Sequence, residues 1–299
     1  MSFRLKAFNL LLRFSSYFGL SKLHHSESVV EGFRQHARLS DAVIARFSKN
    51  YCHPLIRTEH PRWWWVGDWR TTKHHMLYLL GSGFCADLPA TFRYWADRLA
   101  TLNDAAVLLV DYPLAPESPY PAALNVCLDA YRWMIEEQNI DPQHIIVGGD
   151  SAGGNLAMAT LLKIKHANLP MPACAFALSP SLDLTLSSPS MTENTKSDTF
   201  GNRNLMERLA QLYVPDGNLS DGIVSPLFGD CRGLPPIQLQ VSSDELLRDD
   251  SVRFYEKFKG EMPIELVLWD GVPHCHQIFG FLPEAILARS KLQSFIARH

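Results

Sequence analysis

Residues 145–154 read Ile-Ile-Val-Gly-Gly-Asp-Ser-Ala-Gly-Gly, an apolar run that passes through a turn of small residues into a helical pattern. Gly149 to Gly153 fit the pattern G-x-S-x-G, in which a serine stands on a sharp turn between a strand and a helix. The small residues let the backbone turn without collision, and the helix N-terminus favours negative charge in front of the serine. The pattern predicts that Ser151 is a nucleophile, with a tight glycine-rich connection as the alternative.

Strand and helix signals alternate along most of the chain. Apolar runs suited to buried strands occur at Met76–Leu80, Ala106–Val110, His144–Gly148, Ala173–Leu178, Ile237–Val241 and Ile264–Leu268. Helical periodicity separates these runs at Phe92–Leu102, Pro121–Glu137, Asn155–His166, Arg203–Tyr213 and Asp250–Lys259. Because short buried strands that alternate with helices need crossover connections, the sequence predicts an α/β fold with a mostly parallel central sheet flanked by helices.

Two regions fit this alternation poorly, namely residues 1–60 and residues 182–216. Open α/β sheets bind ligands beyond the carboxyl ends of their strands. We therefore expect both regions to form a helical cap over that edge of the sheet. We also expect residues 1–299 to form a single domain.

The composition limits the class of protein. Of the 299 residues, 46% are hydrophobic and 20% are charged, and the net charge is -3. These values exclude a wholly disordered chain, a fibre and a polytopic membrane protein, and they show no basic excess for nucleic-acid binding. The six cysteines form no C-x-x-C pair, so we expect free thiols in a reducing compartment such as the cytoplasm.

Residues 3–23 combine apolar side chains with cations at Arg4, Lys6, Arg13 and Lys22. Asn9 and Arg13 interrupt the apolar stretch that a signal peptide or a membrane-spanning helix requires. We expect an amphipathic helix instead. It either closes over the pocket as part of the cap, which we favour, or makes a peripheral contact with a membrane surface.

A second turn, Leu80-Gly81-Ser82-Gly83-Phe84, follows the first predicted strand. Such a turn can aim backbone N–H groups at the carbonyl that the serine attacks. Together with the N–H of Ala152 it would form an oxyanion hole, whereas an ordinary β-turn is the alternative. A further segment, residues 111–117, follows the next strand and reads Asp-Tyr-Pro-Leu-Ala-Pro-Glu.

Together these segments resemble the hormone-sensitive-lipase-like esterases (bacterial family IV type) of the α/β-hydrolase fold. That family carries H-G-G-G in its oxyanion turn, then D-Y-R-L-A-P-E, and G-D-S-A-G-G around its serine, which is intact here at residues 149–154. The resemblance covers roughly residues 70–299. It implies a carboxylic ester hydrolase with a helical cap, a small-molecule ester as substrate and no cofactor, and it is consistent with a homodimer.

Three positions depart from the family pattern. Leu80 replaces the histidine, Ser82 replaces the middle glycine, and Pro113 replaces the arginine. The family histidine is thought to brace the oxyanion turn by hydrogen bonding, which leucine cannot do, and serine tolerates a positive φ less well than glycine. The resemblance still implies that the N–H groups of Ser82, Gly83 and Ala152 form the oxyanion hole, on a turn that we expect to be less rigid.

The resemblance also supplies the partners of the serine, in the chain order serine, carboxylate, histidine. The family's catalytic histidine lies in a G-x-P-H motif, which residues 271–274 match, so that it corresponds to His274. The register from Pro235-Pro236 places Glu245 on the family's catalytic acid. Asp244 is the alternative acid if the loop is shifted by one residue.

Other conspicuous residues are assigned no catalytic role. Asp249 and Asp250 are expected to cap the following helix. His276 is expected at the surface or in packing, and we expect no metal site, because no third ligand accompanies the His-x-His pair. For the four tryptophans of this region we favour a strand edge packed on the cap or a dimer contact, and a place in the substrate pocket is the alternative. These residues are Trp63, Trp64, Trp65 and Trp69.

These assignments predict a serine carboxylesterase that hydrolyses short- to medium-chain esters through an acyl-enzyme. His274 would accept the proton of Ser151, and Glu245 would orient the imidazole. An amidase or deacetylase could use the same triad. A non-catalytic ligand receptor on this fold is a further alternative, which Leu80 favours and the retained His274 opposes.

Overall fold

The computed structural model describes residues 1–10, 12, 29–47, 50–199 and 202–299. Of the helix predicted within residues 3–23, residues 11 and 13–23 lie outside this described part, as do residues 200 and 201 of the predicted cap. None of the described helices is long and apolar enough to cross a membrane.

The described residues form one eight-stranded sheet with the order β1-β2-β4-β3-β5-β6-β7-β8. The strands are β1 Leu55–Arg57, β2 Trp63–Val66, β3 His74–Leu79, β4 Ala105–Val110, β5 Ile145–Asp150, β6 Cys174–Leu178, β7 Ile237–Ser242 and β8 Ile264–Trp269. Strands β3 to β8 pair in parallel, whereas β1 and β2 are antiparallel to their neighbours. The predicted class, α/β with a mostly parallel sheet, is confirmed.

Helices cover both faces of this sheet. They are α1 (residues 3–10), α2 Val29–Phe47, α3 Pro89–Asn103, α4 Ala122–Arg132, α5 Ser151–His166, α6 Ser190–Glu193, α7 Arg203–Tyr213, α8 Arg248–Phe258 and α9 Pro283–Ile296. Helices α4, α5 and α8 bury apolar side chains on one face, and α3 and α9 do so on the other. The central strands are therefore apolar on both sides, as parallel strands covered by helices require.

The carboxyl ends of the central strands meet at one edge of the sheet. Ser151 follows β5, Ser179 follows β6 and Glu245 follows β7 by a few residues, while His274 lies in the loop after β8. Helix α2 from the first poorly fitting region contacts α7 from the second. Both helices lie beside this edge, because they line the same cavity as Ser151.

Of the four tryptophans, Trp63, Trp64 and Trp65 lie in strand β2, and Trp69 follows the strand. Trp63 and Trp65 are buried in the core, and both pack against Trp133, which follows α4. None of the four tryptophans lines the cavity at Ser151. The pocket alternative for these residues was wrong. The strand of the favoured interpretation is present, but β2 pairs with both β1 and β4 and is not an edge, and its buried tryptophans pack on Trp133 and not on the cap.

The expectation that Asp249 and Asp250 cap a helix was wrong. Helix α8 begins at Arg248, so both aspartates lie inside its first turn, and no side chain caps it. Asp250 instead accepts hydrogen bonds from the backbone N–H groups of Leu182 and Asp183, at 2.9 and 3.0 Å. These long-range bonds fasten the start of the predicted cap segment to the body of the fold.

Candidate active site

Ser151 stands on a strained turn between β5 and α5. Its φ is +52°, a value that side chains with a Cβ rarely adopt and that persists only where the surroundings enforce it. The turn passes so close to β3 that a Cβ on Gly153 would lie 2.0 Å from the carbonyl oxygen of Leu79. The half-buried serine is thus held at the N-terminus of a long helix, where negative charge is favoured.

Asp150 ties this turn to the neighbouring one. Its Oδ1 accepts a hydrogen bond from the hydroxyl of Tyr78 at 2.6 Å and another from the backbone N–H of Gly81 at 3.1 Å. Burial raises the pKa of the Asp150 carboxyl even though both bonds oppose that shift. The residue before the serine therefore fixes the first glycine of the predicted oxyanion turn.

The predicted oxyanion turn adopts positive φ values at Gly83 (+59°) and Phe84 (+61°), but not at Ser82. The expected conflict between serine and a positive φ therefore does not arise at Ser82. Within the described part of the chain, the backbone N–H groups of Ser82 and Gly83 have no protein acceptor. These two groups and the N–H of Ala152, at the start of α5, are left to bind another acceptor.

A tyrosine braces the turn where the family histidine is missing. The hydroxyl of Tyr112 donates a hydrogen bond to the carbonyl oxygen of Leu80, and both residues are buried. The backbone N–H of Ala115 donates to the carbonyl of Phe84 at 2.9 Å, which fixes the other end of the turn. The expectation of a less rigid turn did not take these two long-range hydrogen bonds into account.

Removing the Tyr112 hydroxyl tests this brace. We expect Tyr112→Phe to lower kcat for an ester about fivefold, with KM nearly unchanged, because one buried hydrogen bond of about 1 kcal/mol positions the turn. Tyr131→Phe is the matched control, since the buried Tyr131 donates to the carbonyl of Pro170 far from the site. Equal kcat values in the two variants, measured beside their melting temperatures, would show that the brace serves stability alone.

The structure brings Glu245 and His274 together. Nδ1 of His274 lies 2.6 Å from Oε2 of Glu245, and this carboxylate is almost fully buried. The other carboxylate oxygen, Oε1, accepts from Ser179 Oγ at 2.7 Å and from the backbone N–H of Ser242 at 2.8 Å. With Nδ1 donating to Glu245, Nε2 of the ring is left as the proton acceptor.

The alternative acid has a different partner. The half-buried carboxylate of Asp244 accepts a hydrogen bond from Ser243 Oγ at 2.9 Å. His276 is fully buried against Trp269, so it packs in the interior and is not at the surface. Among the described residues, no group of three or more His, Cys, Asp and Glu side chains is arranged to bind a metal ion.

The pKa of His274 is raised well above its ordinary value of 6.5. Burial alone would lower it, whereas negative charge on the neighbouring Cys275 or Glu245 raises it. Burial raises the pKa of the Cys275 thiol to about 12, so this thiol is uncharged near neutral pH. Glu245 therefore supplies the charge that favours the protonated ring.

Arg34 fastens helix α2 to the residue that follows the predicted oxyanion turn. Arg34 donates from Nε to the carbonyl oxygen of Cys85 at 2.8 Å and from Nη2 to that of Ala115 at 3.1 Å. The Glu117 carboxylate accepts two further bonds from the same guanidinium, at 2.7 and 2.6 Å, and this lowers the pKa of Glu117 to about 2. The first predicted cap region is thereby joined to the site.

A cavity of about 780 Å³ connects these groups. Ser151 and His274 both line it, together with Ser82, Gly83 and Ala152. The described lining includes Asp150 and Asp198 but no lysine or arginine. Most other lining side chains are apolar, among them Phe33, Leu184, Leu186, Leu205, Met206, Leu209 and Phe279. The cavity suits an uncharged, largely apolar ligand.

Sequence reasoning missed three residues that support the site. Ser179 holds the carboxylate of Glu245, Tyr112 holds the oxyanion turn, and Asp150 joins that turn to the serine. Each of them lies at or just after the carboxyl end of a central strand. That position is the signal by which they could have been found, because ligands of open α/β sheets bind there.

Two kinds of sequence comparison relate this chain to known proteins. A family model described as alpha/beta hydrolase fold matches residues 76–278. The chain is 38% identical over 223 residues to an esterase of Acinetobacter venetianus, which spans 74% of this chain and 73% of the relative. It is 34% identical over 222 residues to an acetyl-hydrolase of Streptomyces hygroscopicus, which spans 74% of each chain.

The solved structures agree with these relatives. The crystal structure of an esterase from the bacterial hormone-sensitive lipase family superposes with a TM-score of 0.87 and 28% sequence identity. The superposition covers 100% of this chain and 98% of the other. The likeness therefore extends over the regions at the cavity as well as over the sheet.

Proposed function

Because this chain belongs to the alpha/beta hydrolase fold family, among the hormone-sensitive-lipase-like carboxylic ester hydrolases, we propose that it hydrolyses short- to medium-chain esters through a Ser151–His274–Glu245 triad. One observation carries the proposal. The strained Ser151 shares an apolar cavity with His274, whose ring is hydrogen-bonded to Glu245.

In the first half of the reaction, Nε2 of His274 removes the proton from Ser151 Oγ while that oxygen attacks the carbonyl carbon of the ester. The carbonyl oxygen becomes an oxyanion, which the N–H groups of Ser82, Gly83 and Ala152 stabilise. Glu245 holds the imidazole in the required tautomer and stabilises its cation. The carbon–oxygen bond to the alcohol then breaks, and His274 protonates the departing alkoxide.

In the second half, water replaces the alcohol. His274 takes one proton from the water as its oxygen attacks the acyl carbon, and the same N–H groups stabilise the second oxyanion. The bond to Ser151 Oγ then breaks, the serine recovers its proton from His274, and the carboxylic acid leaves. The cycle needs no group beyond this chain and water.

The cavity lining supports the substrate class. Burying one methylene of the acyl chain against apolar walls stabilises the complex by about 0.8 kcal/mol. If this stabilisation is present in the transition state, it raises kcat/KM roughly fourfold per methylene. The absence of lysine and arginine from the described lining disfavours substrates with a second, ionised carboxylate. Neutral esters with acyl chains beyond acetate fit both conditions.

A series of p-nitrophenyl esters from acetate to laurate tests the proposal. We expect kcat/KM to rise with chain length, by up to roughly fourfold per methylene, to a maximum between butyrate and octanoate. We expect a p-nitrophenyl monoester of adipic acid to react at least about tenfold more slowly than the hexanoate, because its carboxylate has no described cation to meet.

Two results would contradict the proposal. A folded wild-type protein that turns over none of these esters would remove the assigned activity. Faster cleavage of the matched p-nitroanilides than of the esters would instead assign the triad to amides, the alternative that the same residues permit.

A further inference from the structure

Helix α1 has an inner face that is packed on the body of the protein. Leu5 is fully buried against Val272 and Leu282. Phe8 packs its ring against Phe279, with centroids 4.8 Å apart. The side-chain amide of Asn9 donates to the carbonyl oxygen of Gly271 at 2.8 Å, three residues before His274. The helix is thus held in one orientation.

The outer face of α1 is also apolar. Phe3 is 85% exposed and Leu10 is 72% exposed. Phe3, Ala7 and Leu10 follow the spacing i, i+4, i+7, so they share one side of the helix, opposite Leu5. A helix that only closed the pocket would have a polar outer face, and this one does not.

Cations flank the outer face. Arg4 and Lys6 are exposed on either side of it, and Arg4 donates to the carbonyl oxygen of Phe281. In the sequence, the first acidic residue is Glu27. An apolar stripe between cations matches a surface that combines hydrocarbon with negative charge.

The cavity opens beside this helix. Phe8 of α1 lines the cavity, and so does Phe281, which packs against Phe8 and is 50% exposed. Side chains that both line the cavity and reach the solvent mark its mouth. A surface bound by the outer face of α1 would therefore lie next to the opening through which an apolar ester enters.

We propose that the outer face of α1 docks on the surface of an anionic phospholipid bilayer, with Phe3 and Leu10 inserted among the lipids and Arg4 and Lys6 at the headgroups. This inference goes beyond the proposed hydrolysis and does not depend on it. A second copy of the chain fits the face less well. A twofold contact places the same patch of both copies together, so Arg4 and Lys6 would face their own duplicates.

Sedimentation with vesicles tests the docking. The binding partner is a vesicle of equimolar phosphatidylcholine and phosphatidylglycerol, and the protein carries Ser151→Ala so that no hydrolysis occurs. We expect the double variant Phe3→Ser/Leu10→Ser to bind at least about tenfold more weakly than its parent. The matched control is Leu55→Ser/Phe228→Ser, which removes exposed residues of the same types from β1 and from the segment 226–228.

The control variant should bind as the parent does, and Lys6→Gln should weaken binding about fivefold at low salt and much less at high salt. Equal binding by both double variants would overturn the proposal. So would binding to pure phosphatidylcholine vesicles that matches the anionic ones. A Phe3/Leu10-dependent dimer in solution, measured by sedimentation equilibrium, would assign the face to a second copy instead. With Ser151 restored, we expect the same surface variants to hydrolyse a soluble ester as the wild type does. The outcomes for membrane binding therefore leave the proposed hydrolysis untouched.

Discussion

The Ser151→Ala variant is expected to lose ester hydrolysis, with kcat/KM falling by about 10⁴-fold or more. Without Oγ no acyl-enzyme can form. The only remaining route is direct attack of water on the ester, which the N–H groups of the proposed oxyanion hole still assist. The variant should also fail to react with a fluorophosphonate probe. Both effects are measured on purified protein, the first with p-nitrophenyl butyrate and the second by mass spectrometry.

Folding must be unchanged for this result to concern chemistry. Ser151 is only half-buried, and alanine keeps the Cβ that the turn already accommodates at φ +52°. We therefore expect the same melting temperature within a few degrees. Ser251→Ala is the matched control, since it removes a buried hydroxyl from α8, outside the cavity. Retained turnover or probe labelling in Ser151→Ala would show that another residue is the nucleophile.

The sheet was predictable because its central strands are buried on both faces. In β4, Ala106, Leu108 and Val110 face one core while Val107 and Leu109 face the other, so the whole run is apolar. Helix α9 was not predicted, because its apolar residues are not confined to one face. Its buried residues keep helical spacing, but Ile286 and Leu287 are exposed between them and obscure the pattern.

Within the site, local features were predictable and long-range support was not. The strained turn at Ser151 could be predicted from the small residues beside it in the sequence. Among these, Gly149 and Gly153 come so close to β3 that a side chain would not fit. The hydrogen bonds from Tyr112 to Leu80 and from Ser179 to Glu245 join residues far apart in the chain. Such pairs become visible only once the strand order sets which loops are neighbours.

The same reasoning explains the errors at α8. Local spacing alone predicts that an aspartate near the start of a helix caps that helix. Asp249 and Asp250 instead reach across to the chain that lies over the sheet edge, where Asp249 accepts from the N–H of Ser190 and Asp250 from that of Leu182. The acid of the proposed triad lies only a few residues earlier, so this helix start joins the loop that carries Glu245 to the expected cap.

Replacing the two candidate acids one at a time should separate them by a large factor. We expect Glu245→Gln to lower kcat/KM about 10³- to 10⁴-fold, because the neutral amide no longer fixes the His274 tautomer or stabilises its cation. Asp244→Asn should stay within about threefold of wild type, since its carboxylate accepts from Ser243. The reverse ranking would move the catalytic acid by one residue.

The pH profile adds a test that a loss of stability cannot imitate. As the proposed base, His274 can accept a proton only when it is neutral, so kcat/KM should fall as the pH drops through its pKa, which lies above 6.5 in the wild type. Removing the Glu245 charge lowers that pKa, and the acid limb of Glu245→Gln should therefore move to lower pH. Asp244→Asn should leave the limb in place. An acid limb that is the same in all three proteins would mean that Glu245 does not govern the protonation of His274, whatever its effect on rate.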